Sequence, residues 1–329
     1  MTDHSATAIP YFPPADEVDV GSDLALLQLG RRLHADGYRF VTITPLSHQR
    51  NNLRPENRVA RSVRDIFGWS RPFDNDLLTR PELEALVASG VIRAHAGRWI
   101  SDVRWSSLGD LLLVHSAFPT VGHDAVFFGP DTYRFTQAVA DHLRTSSDPV
   151  RRAVDIGCGT GAAAIQIARA RPHAQVLAVD INPTALRYTA VNAALAEVEN
   201  VSAWHSDILD GVDGEFDLIV ANPPYMKDTQ RRAYRDGGER LGSELSVRIV
   251  EQALTRLSVG GTLLLYTGAP SVDGKDLFLE HALPLVDTPD LAWVYREMDP
   301  DVFGEELDAP GYGQAERIAA VVLTVTRLR

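Results

Sequence analysis

From residue 150 onward the chain repeats one device: a short apolar run ends in a small, acidic or amide residue. RRAVDIGC (151–158), QVLAVDI (175–181), VSAWHSD (201–207) and FDLIVAN (216–222) are four such runs. Helical segments are predicted from Gly161, over Thr184–Glu197 and over Ser243–Leu257. Apolar strands that alternate with helices form a mostly parallel sheet covered on both faces, a doubly wound α/β fold. GTLLLYTG (261–268), LAWVYREM (291–298) and RIAAVVLTVTR (317–327) bring the expected sheet to seven strands. No helix is evident between the last two, so they are expected to pair antiparallel at an edge.

The first third has a different texture, and a chain of 329 residues has room for two domains. Residues 1–20, rich in Pro and Asp, are expected to be a flexible arm. SDLALLQLGRRLHADG (22–37) predicts a helix stopped by Gly37, and YRFVTI (38–43) a short strand. RPENRVARSVRDIFGW (54–69) predicts an amphipathic helix, with Val59, Val63, Ile66 and Phe67 on one side and Arg54, Arg58, Arg61 and Arg64 on the other. Thr79 and Glu82 have capping-box spacing. GRWISDVRW (97–105) and DLLLVHS (110–116) predict a hairpin. Helices followed by a hairpin give a winged-helix-like α+β domain over residues 21–124, with the α/β domain over 125–329.

Charge separates the same two parts. Residues 1–120 hold 13 Lys and Arg against 14 Asp and Glu, while residues 121–329 hold 19 against 30. The second part therefore disfavours nonspecific contact with polyanions. Residues 31–71 run the other way, with nine Arg against three acids, a candidate face for RNA phosphates or a solvated helix face. The single cysteine, Cys158, permits no intrachain disulfide. No secretory signal and no stretch of 18 apolar residues is present, so a cytoplasmic protein with no membrane contact is expected. The histidines and the cysteine form no metal-binding pattern, and no metal is expected.

The chemistry gathers where the strands end. Gly157, Gly159 and Gly161 follow the first strand and open a helix, a turn that lets a ligand approach the backbone. With Asp180 following at a suitable distance, this turn also passes as a dinucleotide fingerprint, so a nicotinamide enzyme has to be considered. Asp155, inside the end of that strand, favours a ligand ammonium over a pyrophosphate. Asp180 suits a ribose diol and Asp207 an adenine amino group, with Ile181 and Ile208 against the ring faces. One ligand needs all of these groups: S-adenosylmethionine.

Asn222-Pro223-Pro224-Tyr225 ends the fourth strand at the same edge. The Asn222 side-chain carbonyl and the Pro223 backbone carbonyl can both accept hydrogen bonds. Two fixed acceptors can hold one NH2 group and help its nitrogen pyramidalise. Tyr225 offers a flat face to a planar acceptor.

VDIGCGTG, AVDIN, SDI and NPPY, in that order and spacing, resemble the class I S-adenosylmethionine-dependent methyltransferases, with a Rossmann-like sheet. Among these the chain is similar to the small-domain group, which includes release-factor glutamine N5-methyltransferases and RNA base-amino methyltransferases. Gly129-Pro130-Asp131-Thr132 resembles the Arg-Pro-x-Thr segment of the glutamine-modifying enzymes, with Gly129 in place of Arg. The resemblance implies N-methylation, with Asn222, Pro223 and Tyr225 at the reacting nitrogen and Asn222 also beside the cofactor. Pro224, Tyr225, Tyr234 and Arg235 would contact the acceptor, a protein or RNA in preference to a small metabolite. Lys227, Arg231, Arg232, Arg235 and Arg240 make the loop 226–240 a candidate lid or acceptor-binding segment. An inactive nucleic-acid-binding module on the same scaffold is the reading from another class.

Overall fold

The computed structural model describes residues 20–146, 148–228, 234–309 and 311–329. The expected arm, Arg231 and Arg232 lie outside the described residues, apart from residue 20 at the end of the arm.

Leu26, Leu29 and Leu33 share one face of α1 (Val20–Ala35) and are buried. Gly30 lets this face settle deeply, since a Cβ there would lie 2.7 Å from the Trp105 ring and 2.8 Å from Leu195. Thr44 caps α2 (Pro45–Asn52) through its side chain.

The single helix expected over 54–69 does not form. Pro55 opens a 3-10 turn that ends at Asn57, and Ser62 starts a separate helix, α3 (Val63–Phe67), by accepting from the Asp65 amide. The four arginines therefore do not share one helical face. Helix α4 (Arg80–Ala88) starts at Thr79, but the capping box is not made, and Glu82 instead meets Arg32 at 2.7 Å. Residues 38–43 form no strand, because two of their amides are taken by side chains and not by a neighbouring strand. The Phe40 amide donates to Ser107 Oγ at 3.2 Å and the Thr42 amide to the Tyr133 hydroxyl at 3.1 Å.

Two hairpins follow where the sequence predicts one. The run 97–105 breaks at Asp102, whose amide donates to the Val91 carbonyl at 2.9 Å. Strand β1 (Ile92–His95) pairs with β2 (Arg98–Ser101), and β3 (Val103–Leu108) with β4 (Leu111–Ser116). Ala185, Tyr188 and Val191 join the apolar cluster of this region, so its core continues into the sheet domain.

After α5 (Pro130–Thr145) the expected alternation appears. It runs β5 (Arg152–Ile156), α6 (Ala162–Ala170), β6 (Gln175–Asp180), α7 (Pro183–Leu195), β7 (Val201–His205) and β8 (Phe216–Ala221). Then come α8 (Glu244–Leu254), β9 (Leu257–Val272), the two-residue β10 (Lys275–Asp276), α9 (Leu277–Val286), β11 (Leu291–Asp299) and β12 (Arg317–Arg327). The main strand order is β11-β12-β9-β8-β5-β6-β7, with β10 paired to β9. Strands β5 to β9 are parallel. The antiparallel pair does lie at one edge, with β12 reversed between β9 and β11, so the reversed strand is one place in from the edge.

Side chains alternate across this sheet. Ala153, Leu218, Val220 and Tyr266 share a cluster with Phe135 and Ile167, whereas Val154, Ile156, Ile219 and Leu265 share the opposite one with Val250 and Phe278. Helices thus cover both faces. Chain order leads from β5 outward to β6 and β7, then returns to β8 on the other side of β5. Open α/β sheets bind ligands at such a switch point, beyond the carboxyl ends of the strands.

Candidate active site

A cavity of about 810 Å³ opens at that switch point. Asp155, Gly157, Gly159, Asp180, Ile181, Asp207, Ile208, Asn222, Pro223, Pro224, Tyr225, Tyr234 and Arg235 all line it. Gly161 does not. It has φ +72° at the start of α6, and a Cβ there would lie 2.7 Å from Thr189, so this glycine packs the turn onto α7.

The turn itself is a cradle. Gly157 has φ +66°, which only glycine adopts freely, and a Cβ there would meet nothing within 4 Å. The backbone is thus bare toward the cavity. Asp155 is buried, and its Oδ2 accepts the Ala164 amide at 3.1 Å. Burial pushes its pKa up to about 7; the amide bond opposes the shift and the charge of Asp180 adds to it. Asp180 accepts the Gly159 amide through Oδ2 at 3.0 Å and the Asn182 amide through Oδ1 at 2.9 Å. Burial raises its pKa and those amides lower it. Asp155 is therefore fixed by the first turn of α6 and Asp180 by the glycine turn and its own following residues, and each carboxylate oxygen has more than one lone-pair site.

Ile181 is 51% exposed on the cavity wall, where a large aliphatic side chain would normally be covered. Ile208 has φ +50°, a costly conformation for a β-branched residue. Asp207 is exposed and meets Arg248, another wall residue, at 3.7 Å.

Asn222 directly follows β8 and is half-buried. Among the described residues its side-chain amide has no hydrogen-bond partner, which leaves its carbonyl available to a ligand. Tyr225 is more deeply set than the sequence predicts. It is 6% exposed and belongs to the core, so only part of its ring can face an acceptor. A Cβ at Gly268 would lie 2.3 Å from the ring, so the glycine makes the seat for it. Burial, then the charge of Asp131, pushes the Tyr225 phenol up. Asp131 is itself buried and accepts the Tyr266 hydroxyl at 2.6 Å.

The Tyr234 hydroxyl donates to the Thr120 carbonyl at 2.5 Å, closing one side of the cavity. Arg235 is tied to Glu306 and lies 3.8 Å from Asp228, and Lys227 lies 3.6 Å from Glu239. These cations of the 226–240 loop are thus held by the protein's own acids. Wall residues that sequence reasoning misses include Phe118, Phe127, Phe303 and Arg248, with Pro45 of α2. Isolated aromatics in loops carry no periodic signal. Asp131 stood in the Gly-Pro-Asp-Thr segment, but its place on the wall shows only in three dimensions. Gly129 is tied to one of the missed rings, because a Cβ there would lie 2.4 Å from Phe127.

The family model described as the methyltransferase small domain matches residues 120–273. Over 183 residues the chain is 35% identical to a release factor glutamine methyltransferase of Deinococcus radiodurans, covering 54% of this chain and 63% of that protein. Over 158 residues it is 33% identical to a ribosomal protein uL3 glutamine methyltransferase of Xanthomonas campestris pv. campestris, covering 44% and 48%. These matches thus span between 48% and 63% of the relatives' own length. A solved structure, wild-type Trm5b from Pyrococcus abyssi, aligns with TM-score 0.47 at 17% identity, over 71% of this chain and 62% of that one.

Proposed function

We propose that the chain, whose residues 120–273 match the methyltransferase small domain family model, transfers a methyl group from S-adenosylmethionine to a planar NH2 nitrogen. The acceptor is macromolecular, a glutamine side chain or a nucleobase, and the setting is the cytoplasm. Among the described residues no helix is long and apolar enough to cross a membrane. The observation that carries the reading is the shared cavity: the strand-end carboxylates and the unpaired Asn222 amide line the same space.

The residues fit the cofactor. Bare backbone at Gly157 admits its amino-acid tail, with Asp155 behind for the ammonium. Asp180 accepts from the ribose hydroxyls, and Asp207 from the adenine amino group. Ile181 and Ile208 cover the ring faces. The bound cofactor supplies a methyl carbon activated by the sulfonium: the acceptor nitrogen bonds to it as the carbon–sulfur bond breaks, leaving a thioether, and the nitrogen gives up one proton to solvent.

The chain's own part is positioning and charge. Asn222 Oδ1 and the Pro223 carbonyl accept the two N–H groups of the acceptor. That draws its lone pair out of conjugation and toward the methyl carbon. The two proline rings hold these acceptors in place. Tyr225, fixed against Gly268, and Pro224 bound the acceptor plane, with Tyr234 and Arg235 on the loop side. The names of the relatives support an amide-type acceptor.

Asn222→Ala tests the assignment. Turnover is expected to fall about 10²–10³-fold, with cofactor affinity, measured by calorimetry, within about threefold of wild type, under 1 kcal/mol. Loss of cofactor binding in a folded Asn222→Ala protein would mean that Asn222 serves the cofactor and not the acceptor.

A further inference from the structure

Several exposed arginines are paired: Arg80, Arg93, Arg98 and Arg169 each meet a carboxylate at 2.7–3.0 Å. Residues 50–61 concentrate cations with no such partner. Arg50, Arg54, Arg58 and Arg61 are all exposed, and among the described residues none of their side chains meets a carboxylate. Glu56 is the only acid in that stretch. Asp65, the next acid along, is already held by Arg71 at 2.7 Å.

This cationic strip starts close to the cavity. Pro45, the first residue of α2, lines the cavity, and Arg50 lies near the other end of the same helix. Between them His48 packs on Phe118, another wall residue, with ring centroids 4.2 Å apart. Eight helical residues span about 12 Å, or about four nucleotides at the roughly 3.4 Å rise of one strand. The wall also offers flat apolar surfaces at Phe118, Phe127 and Phe303, on which an unstacked base can lie. Elsewhere the sheet domain is acidic, so a polyanion is steered to this side of the molecule.

We infer that the acceptor nitrogen belongs to a base of an RNA strand whose phosphates are held by Arg50, Arg54, Arg58 and Arg61. This rests on the methyl-transfer reading above and narrows it to one class of acceptor. Single-stranded or looped RNA presents the splayed bases that the cavity requires. The arginines set the strand's position and leave the choice of base to the cavity.

Two measurements test it. The first is fluorescence anisotropy with a labelled RNA hairpin of about 20 nucleotides. With four phosphate contacts, wild-type affinity should fall about 50-fold between about 50 and 200 mM salt. A variant with all four arginines changed to Gln should bind about tenfold or more weakly at low salt and lose most of the salt dependence. A control with Arg144, Arg169, Arg317 and Arg329 changed to Gln removes the same charge elsewhere and should bind RNA like wild type. Calorimetry with S-adenosylmethionine should find cofactor affinity unchanged in both, which also shows that they fold. Unchanged RNA affinity in the strip variant overturns the inference.

The second is transfer of labelled methyl from S-adenosylmethionine to total RNA and to soluble protein from the same cells. Label in RNA that depends on the strip supports the inference. Label in protein alone overturns the inference and leaves the methyl-transfer reading standing. Label in neither fraction, with cofactor binding intact, overturns both.

Discussion

In the sheet domain the backbone around the site pairs strand to strand, whereas between the helices and hairpins of the N-terminal region individual amides pair with side chains. Val154 and Asp155 sit in register with Leu177 and Ala178 on one side and Ile219 and Val220 on the other. In contrast, the Phe40 amide is satisfied by Ser107 Oγ, the Thr42 amide by the Tyr133 hydroxyl and the Phe118 amide by Ser70 Oγ. A ladder imposes period two and contiguous apolar runs, so its site residues recur at predictable strand ends. A backbone held by individual hydroxyls imposes no period. The two regions also differ in charge: the one with the strand-end carboxylates is acidic, and the other carries Arg50, Arg54, Arg58 and Arg61, which meet no carboxylate among the described residues.

The largest stability effect is expected where the two regions share a core. Trp105 is fully buried in the N-terminal cluster, against Gly30 of α1 and beside the cluster's α7 residues. Trp105→Ala should cost about 3–5 kcal/mol, measured by urea denaturation. One cooperative transition is expected. Separate transitions for the two regions would break the picture of a continuous core.

Gly268→Ala should cost less, about 1–3 kcal/mol, because its new methyl group collides with the Tyr225 ring. Methyl transfer should drop with it, through displacement of Asn222-Pro223-Pro224-Tyr225. A stable variant of full activity would show that Tyr225 has room to move and does not fix the loop.

A third effect is a pH dependence that originates in one group of the sheet domain. Burial raises Asp155 to about 7 in the folded protein, against about 3.9 in an unfolded chain. The folded state therefore binds more protons between these values, and stability from this group is lost as pH rises from about 4 to 7. Without cofactor, wild type should lose stability over that interval relative to Asp155→Asn, which keeps an acceptor for the Ala164 amide. Parallel denaturation midpoints for the two proteins at both ends of the interval would remove Asp155 as the source.

Much of the sheet domain was legible in the sequence. Its seven main strands form, with the antiparallel pair at one edge, and thirteen of the named site residues line one cavity, eleven of them at or just after strand ends and Tyr234 and Arg235 from the loop beyond. Gly161 is the departure, since a glycine that admits a neighbouring helix looks in sequence like one that admits a ligand. Tyr225 was placed in the right loop, but the seat at Gly268 that draws its ring into the core comes from β9, over forty residues later. The N-terminal region was legible as helices followed by β-structure and little more. Pro55 and Ser62 break the helix expected over 54–69, and Glu82 is drawn from its expected cap to Arg32. Each of these outcomes depends on a partner distant in sequence or on a local stop stronger than the apolar period.

The central claim is that the strand-end carboxylates hold a sulfonium nucleoside in the space that Asn222 faces. Calorimetric titration of S-adenosylmethionine into wild type and Asp180→Ala tests it most directly. One site per chain is expected in wild type, with affinity about tenfold weaker in the variant, about 1.4 kcal/mol. No binding to wild type, or equal affinity in both proteins, would contradict it.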